Sequence, residues 1–100
     1  MHIVVEFVEA EPEHRMALRS ALVFIARATL EKRRGCLCYD VGQDDVDGTS
    51  YLLYHVYASR EAFTEHIEMP EYAEHRLLVE PWTKLRRVLT YNHVSHGGEA

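Results

Sequence analysis

Tyr51-Leu52-Leu53-Tyr54-His55-Val56-Tyr57-Ala58 is the stretch that decides how this chain folds. Its aromatic and β-branched residues read as a strand. Strand geometry sends Tyr51, Leu53, His55 and Tyr57 to one face and Leu52, Tyr54, Val56 and Ala58 to the other. Both sets are largely apolar. A sheet with one wet face alternates apolar and polar residues more cleanly, so this strand needs cover on both sides. Helices of the same chain can supply one cover. A second copy of the sheet is the most economical source of the other, which predicts a homodimer.

Upstream, Gln43-Asp44-Asp45-Val46-Asp47-Gly48 reads as a hairpin loop, preceded by a strand from Cys36 to Val41. The three aspartates lack the spacing and closing glutamate of a calcium loop and read as turn residues. Further back, Leu18, Ala21, Leu22, Ile25, Ala28 and Thr29 recur at helical spacing. That helix should start at Glu11-Pro12-Glu13 and close at Gly35 as a C′ residue. Ile3 to Val8 is a first strand whose single charge is Glu6.

Downstream, Ser59 is a good N-cap for a helix carrying Ala62, Phe63, His66 and Ile67 on one stripe. Met69-Pro70 should interrupt it. A helical pattern resumes through Tyr72, His75, Leu78, Val79, Trp82 and Leu85, with Pro81 expected to bend or end it. Arg87 to Val94 is the last strand, and residues 95–100 form a polar tail expected to fray. The order β-α-β-β-α-β is the ferredoxin-like plan: one α+β domain over residues 3–94, with a four-stranded antiparallel sheet and helices on one face.

The chain has 100 residues, 47% apolar and 27% charged, with a formal net charge of -5. Such a balance suits a soluble globular domain and disfavours a nucleic-acid partner, which wants a basic stripe. Lys32-Arg33-Arg34, the one sizeable basic run, sits where it complements a helix dipole. No membrane span or signal peptide is apparent, so a cytoplasmic location is expected. Cys36 and Cys38, two apart on a strand, should share a face yet stand too far apart for a disulfide, and free thiols fit a reducing compartment.

Glu31-x-x-x-Gly35-Cys36-Leu37-x-Tyr39-Asp40 resembles the helix-to-strand junction of the antibiotic biosynthesis monooxygenase family. Leu53-Tyr54-x-Val56-Tyr57-x-Ser59-x-Glu61-Ala62-Phe63-x-x-His66 resembles its third strand and following helix, including a recurrent histidine after Ala-Phe. Pro70 falls at that family's helix break, and Pro81-Trp82 where a closing aromatic is common. The likeness runs from about Ile3 to Val94. It implies a dimeric α+β barrel with a pocket between each sheet and its own helices. His55 stands where the family commonly has glutamate. Phe7 and His66 stand where a haem-degrading branch has asparagine and tryptophan, and although His75 lies near that branch's iron ligand, haem degradation is disfavoured.

The resemblance makes His66 the candidate base. It lies on the apolar helical stripe, and an imidazole can take a proton from a phenolic or enolisable substrate near neutrality. Its plainer reading is a packed histidine bonded to a carbonyl. His55 and His75 are candidate pocket residues, although ordinary packing explains both. Tyr54, Tyr57 and Trp82 could wall a flat ring or simply fill the core. Arg76 could hold a phenolate, or pair with Glu80 on the helix surface. The three histidines match no tight metal motif, and no metal or cofactor is expected. The expected activity is a cofactor-independent monooxygenation of a small quinol- or phenol-type substrate by dioxygen. The alternatives are a non-oxidative isomerase or signal-molecule-processing enzyme of the same family, and a dimeric ligand-binding or structural module without turnover.

Overall fold

The computed structural model describes residues 1–97. Of the tail expected over 95–100, residues 98–100 lie outside the described part. The elements are β1 (His2–Ala10), a 3-10 turn (Pro12–His14), α1 (Arg15–Lys32), β2 (Cys36–Gln43) and β3 (Ser50–Tyr57). They continue with α2 (Arg60–Glu68), α3 (Pro70–Val79), a second 3-10 turn (Glu80–Trp82) and β4 (Thr83–Asn92). The sheet order is β2-β3-β1-β4, with every neighbouring pair antiparallel, so the ferredoxin-like α+β plan holds. Among the described residues, no helix is long and apolar enough to cross a membrane.

One face of the sheet is buried beneath the helices. Val4 and Val8 of β1 and Tyr51, Leu53 and Tyr57 of β3 meet Leu18, Ala21, Leu22 and Ala26 of α1 there, with Val79 from α3. The cross-strand pairs Val4↔His55, Glu6↔Leu53 and Val8↔Tyr51 fix which side chains share that face. The opposite face carries Val5, Phe7, Leu52, Tyr54 and Tyr91, and Phe7 is 47%, Leu52 41% and Tyr91 51% exposed.

The two breaks around α2 have the expected chemistry. Ser59 is extended, and its hydroxyl accepts from the Ala62 amide at 3.1 Å, satisfying an orphan donor of the first turn. Met69 is extended at ψ 143°, as proline demands of the residue before it, and α3 restarts with Pro70 in its first turn.

Four expectations need correction. Pro12 opens a 3-10 turn, and α1 proper begins at Arg15. β4 starts at Thr83 and ends at Asn92, so Leu85 belongs to a strand and not to the helical run before it. The apolar spacing across 72–85 carried the helical reading past Pro81, where the missing amide in fact ends it. Cys36 and Cys38 do not share a face: a bulge between them pairs Cys36 with Tyr57 and Cys38 with Val56, which point to opposite sides of β3. Both thiols are free.

The fourth is Gly35, which does not close α1 in a left-handed conformation, because no glycine among the described residues has positive φ. Its reason is space. A Cβ at Gly35 would lie 2.6 Å from the Ala62 Cβ, so the bare backbone lets α2 seat against the α1–β2 turn. Gly35→Ala should therefore cost about 1–3 kcal/mol in urea unfolding, the usual range for overpacking. Adding Ala62→Gly should recover part of that loss. An unchanged midpoint in the single variant would contradict the close approach.

Candidate active site

Leu22, Ile25, Leu53 and Val79 give the cavity beneath the helices its apolar wall, but its chemistry comes from a charged network spanning the sheet. Glu6 lies on the buried side of β1 between Val4 and Val8, 5% exposed. Such a carboxylate persists only if paired. Here the His55 Nε2 donates to Glu6 Oε2 at 2.8 Å, and the Arg86 Nε donates to Oε1 at 2.9 Å. Arg86 also donates from Nη2 to the Tyr72 hydroxyl at 3.3 Å. Burial alone would raise the Glu6 carboxyl, but the His55 hydrogen bond and the Arg86 charge outweigh it and hold the group below its ordinary value. Arg86 responds in kind: burial lowers it, and the Glu6 charge more than offsets the cost.

His55, 3% exposed, has no nitrogen left for a ligand. Its Nε2 serves Glu6, the Tyr57 hydroxyl stands 2.8 Å from Nδ1, and Tyr39 stacks on the ring with centroids 4.2 Å apart. Burial raises both the Tyr57 and Tyr39 phenols, so they stay protonated. The role open to His55 is to hold this network in register.

His66 differs. Its ring stacks on Tyr57 and meets Tyr72 edge-on, with centroids 5.6 and 5.5 Å away. The residue is 7% exposed, yet Nδ1 has no hydrogen-bond partner among the described residues. Burial, aided by the positive surroundings of His55, Arg33 and His75, pushes the imidazole down to about 4. It is therefore neutral at physiological pH. His75 is also lowered by burial, and its ring lies edge-on to Phe24. Arg76 makes no ion pair with Glu80 or any other described carboxylate, and burial together with the Arg86 charge lowers its proton affinity.

Of the residues singled out from the sequence, His55, His66, His75 and Arg76 thus line one cavity. Tyr57 braces it from behind through His55. Trp82 packs against the core outside the lining, and Tyr54 lies on the opposite face of the sheet, 37% exposed. Sequence reading missed Glu6, Tyr39, Tyr72 and Arg86, which also line it. The available signal was Glu6 itself, a lone charge that alternation puts on the same side as Val4 and Val8. The cavity is narrow, about 40 Å³, which is room for a water or a diatomic molecule rather than a ring. Among the described residues, no group of three histidine, cysteine or acidic side chains is arranged to hold a metal ion.

Fold and cavity together define a ferredoxin-like α+β domain with a buried, ionisable pocket between its sheet and its own helices. The chain belongs to the antibiotic biosynthesis monooxygenase family, whose profile matches residues 1–76. Its backbone is similar to that of a Deinococcus radiodurans protein provisionally classed as an antibiotic biosynthesis monooxygenase, with TM-score 0.91 and 24% identity over 100% of this chain and 99% of that one. A Nitrosomonas europaea protein of the same provisional class gives TM-score 0.87 at 21% identity, over 95% of this chain and 100% of the other. A Mycobacterium tuberculosis protein gives TM-score 0.85 at 26% identity, over 97% and 98%. No curated protein is a significant sequence match.

Proposed function

We propose that this protein is a cofactor-independent monooxygenase acting on a small electron-rich aromatic of the quinol or phenol type. The observation that carries the reading is the cavity's pairing of a neutral imidazole, bearing a nitrogen unpartnered among the described residues, with the guanidinium of Arg76. That arrangement suits proton removal followed by stabilisation of the resulting anion. His66 accepts the proton of the substrate hydroxyl, and Arg76, whose charge no described carboxylate pairs, stabilises the phenolate electrostatically. The electron-rich anion reduces dioxygen. One oxygen atom enters the ring, the other leaves as water, and the substrate supplies all four electrons. The cavity holds only about 40 Å³, so a ring reaches His66 only if the cavity widens. Dioxygen fits the resting space.

The test is oxygen uptake by purified, metal-free protein with a quinol panel, with ¹⁸O₂ followed into the product. Substrate-dependent uptake with one labelled atom per product is expected. Turnover without uptake would replace the reading by isomerisation, and saturable binding without turnover by a ligand-binding module.

The uncovered sheet face supports a homodimer as the working form. A soluble monomer rarely leaves so much contiguous apolar surface open, and Phe7, Leu52, Tyr54 and Tyr91 are all more than a third exposed on it. The protein should sediment at about twice its 11.6 kDa chain mass. Phe7→Asp with Leu52→Asp should shift it to a monomer. A cooperatively folded parent monomer at micromolar concentration would overturn this.

A further inference from the structure

We propose that the first part of α3, from Pro70 to Arg76, is a lid over the narrow cavity, hinged at Met69 and latched by the Arg33–Glu71 ion pair, and that its opening admits a ring to His66. The inference rests on reading this cavity as the substrate site, and not on the chemistry that follows there.

The resting structure is closed. The cavity measures about 40 Å³, and the His66 Nδ1 is itself buried, with no partner among the described residues. A base so enclosed meets a ring only when a wall moves, and the walls are held unequally. Two aromatic rings lie against His66, those of Tyr57 and Tyr72. Tyr57 is fully buried and paired within the sheet to His2 and Cys36, so it stays. Tyr72 belongs to α3, which also brings His75, Arg76 and Val79 to the lining. Whereas α1 buries Leu18, Ala21, Leu22, Ala26 and Thr29, α3 buries Val79 alone, at the end far from Met69. Lifting the first part of α3 therefore exposes little apolar surface, the physical mark of a low-energy local opening.

Both ends of the lid suit that motion. Met69 is extended at ψ 143°, so α2 does not run on into α3, and Pro70 has no amide to tie back. At the other end Val79 packs in the core, and its carbonyl accepts from the Thr83 hydroxyl at 2.8 Å. Between them two polar ties hold the lid down. Arg33, in the α1–β2 turn, donates to Glu71, and the Arg86 Nη2 donates to the Tyr72 hydroxyl at 3.3 Å. Neither tie is fully buried, and ion pairs open to water contribute modestly. A latch of that strength closes the cavity and still releases.

The experiment is amide hydrogen exchange of the full chain by NMR, followed by a hydroquinone titration, on the parent, Arg33→Gln and Glu71→Gln. Amides of residues 74–79 should exchange through an opening at least about tenfold more populated than that of residues 19–29 in α1. Each variant should raise the α3 opening about two- to fivefold and leave α1 unchanged. Arg33 lies outside α3, so an equal response to its loss separates release of a latch from weakening of the helix. Apparent hydroquinone affinity should rise by the factor that the opening rises, because the open form alone binds. Residues 74–79 exchanging only as slowly as α1 would overturn the lid. An opening that neither variant changes would overturn the latch. Hydroquinone affinity that stays level as the opening grows, or no binding by any of the three proteins, would overturn the gate. Neither readout involves turnover, so a failed lid leaves oxygen uptake to decide the chemistry, and absent uptake leaves the lid standing.

Discussion

Glu6→Ala is expected to destabilise the protein by about 3–5 kcal/mol, the usual cost of removing one partner of a buried charge pair. Glu6 is 5% exposed, and its two oxygens serve His55 and Arg86. Without it, a half-buried guanidinium keeps its charge and loses its counter-ion, and the buried His55 Nε2 loses its acceptor. Domains of this size hold only about 5–15 kcal/mol in total, so the variant should be close to unfolding at moderate temperature. Glu6→Gln keeps an acceptor and should lose less. Urea titrations at one fixed protein concentration check both, since any association would otherwise shift the midpoint. The pH sign is also defined. Glu6 has a depressed native pKa, so its contribution is full above the unfolded carboxylate value and is lost as the pH falls through the lower native one. Glu6→Gln should flatten that acid loss. A cost below about 1 kcal/mol for Glu6→Ala would show that the network does not hold the sheet together.

The reason this residue escaped sequence reading also explains what was legible. Local chemistry was readable wherever one residue type forces one geometry. Ser59 caps, Met69-Pro70 breaks, and the alternation of Tyr51 to Tyr57 assigns each side chain a face, all visible without tertiary information. What failed depended on partners far along the chain. Glu6 and Arg86 are 80 residues apart and meet only because β4 pairs with β1 in one register. Placing β4 from Arg87 left Arg86 outside the sheet altogether. The bulge after Cys36 is a pairing irregularity with no composition signature, so the facing of the two cysteines came out wrong. Tyr54 and Tyr57 looked equivalent as aromatic walls. Yet the same alternation that assigned them to opposite faces already implied that only one could meet the helices.

His66→Ala is the second large expected effect, a fall in turnover of about 10²–10⁴-fold, the usual share of general acid–base catalysis. Competing assignments are weaker on geometry. His55 has both nitrogens committed, to Glu6 and to Tyr57, and a base needs a free nitrogen within reach of substrate. His66 lines the same cavity, and its Nδ1 is unpartnered among the described residues. Its imidazole, held at about 4 largely by burial, makes a specific claim on the pH profile. The neutral ring accepts a proton and the imidazolium cannot, so kcat/KM should stay level from neutrality and fall as pH drops through about 4, well below the ordinary histidine range. Stability should respond earlier. The unfolded ring takes its proton near 6.5 while the folded ring resists, so acidification from 6.5 toward 4 destabilises the parent, and His66→Ala should lose that slope. The alanine variant should remain folded, because one partly buried polar side chain rarely decides a fold. Oxygen-uptake rates across pH for parent and variant, paired with urea midpoints at each pH, separate the roles. A variant with the parent's rate and an unchanged acid limb would return His66 to packing and leave His75 as the histidine still to be tested.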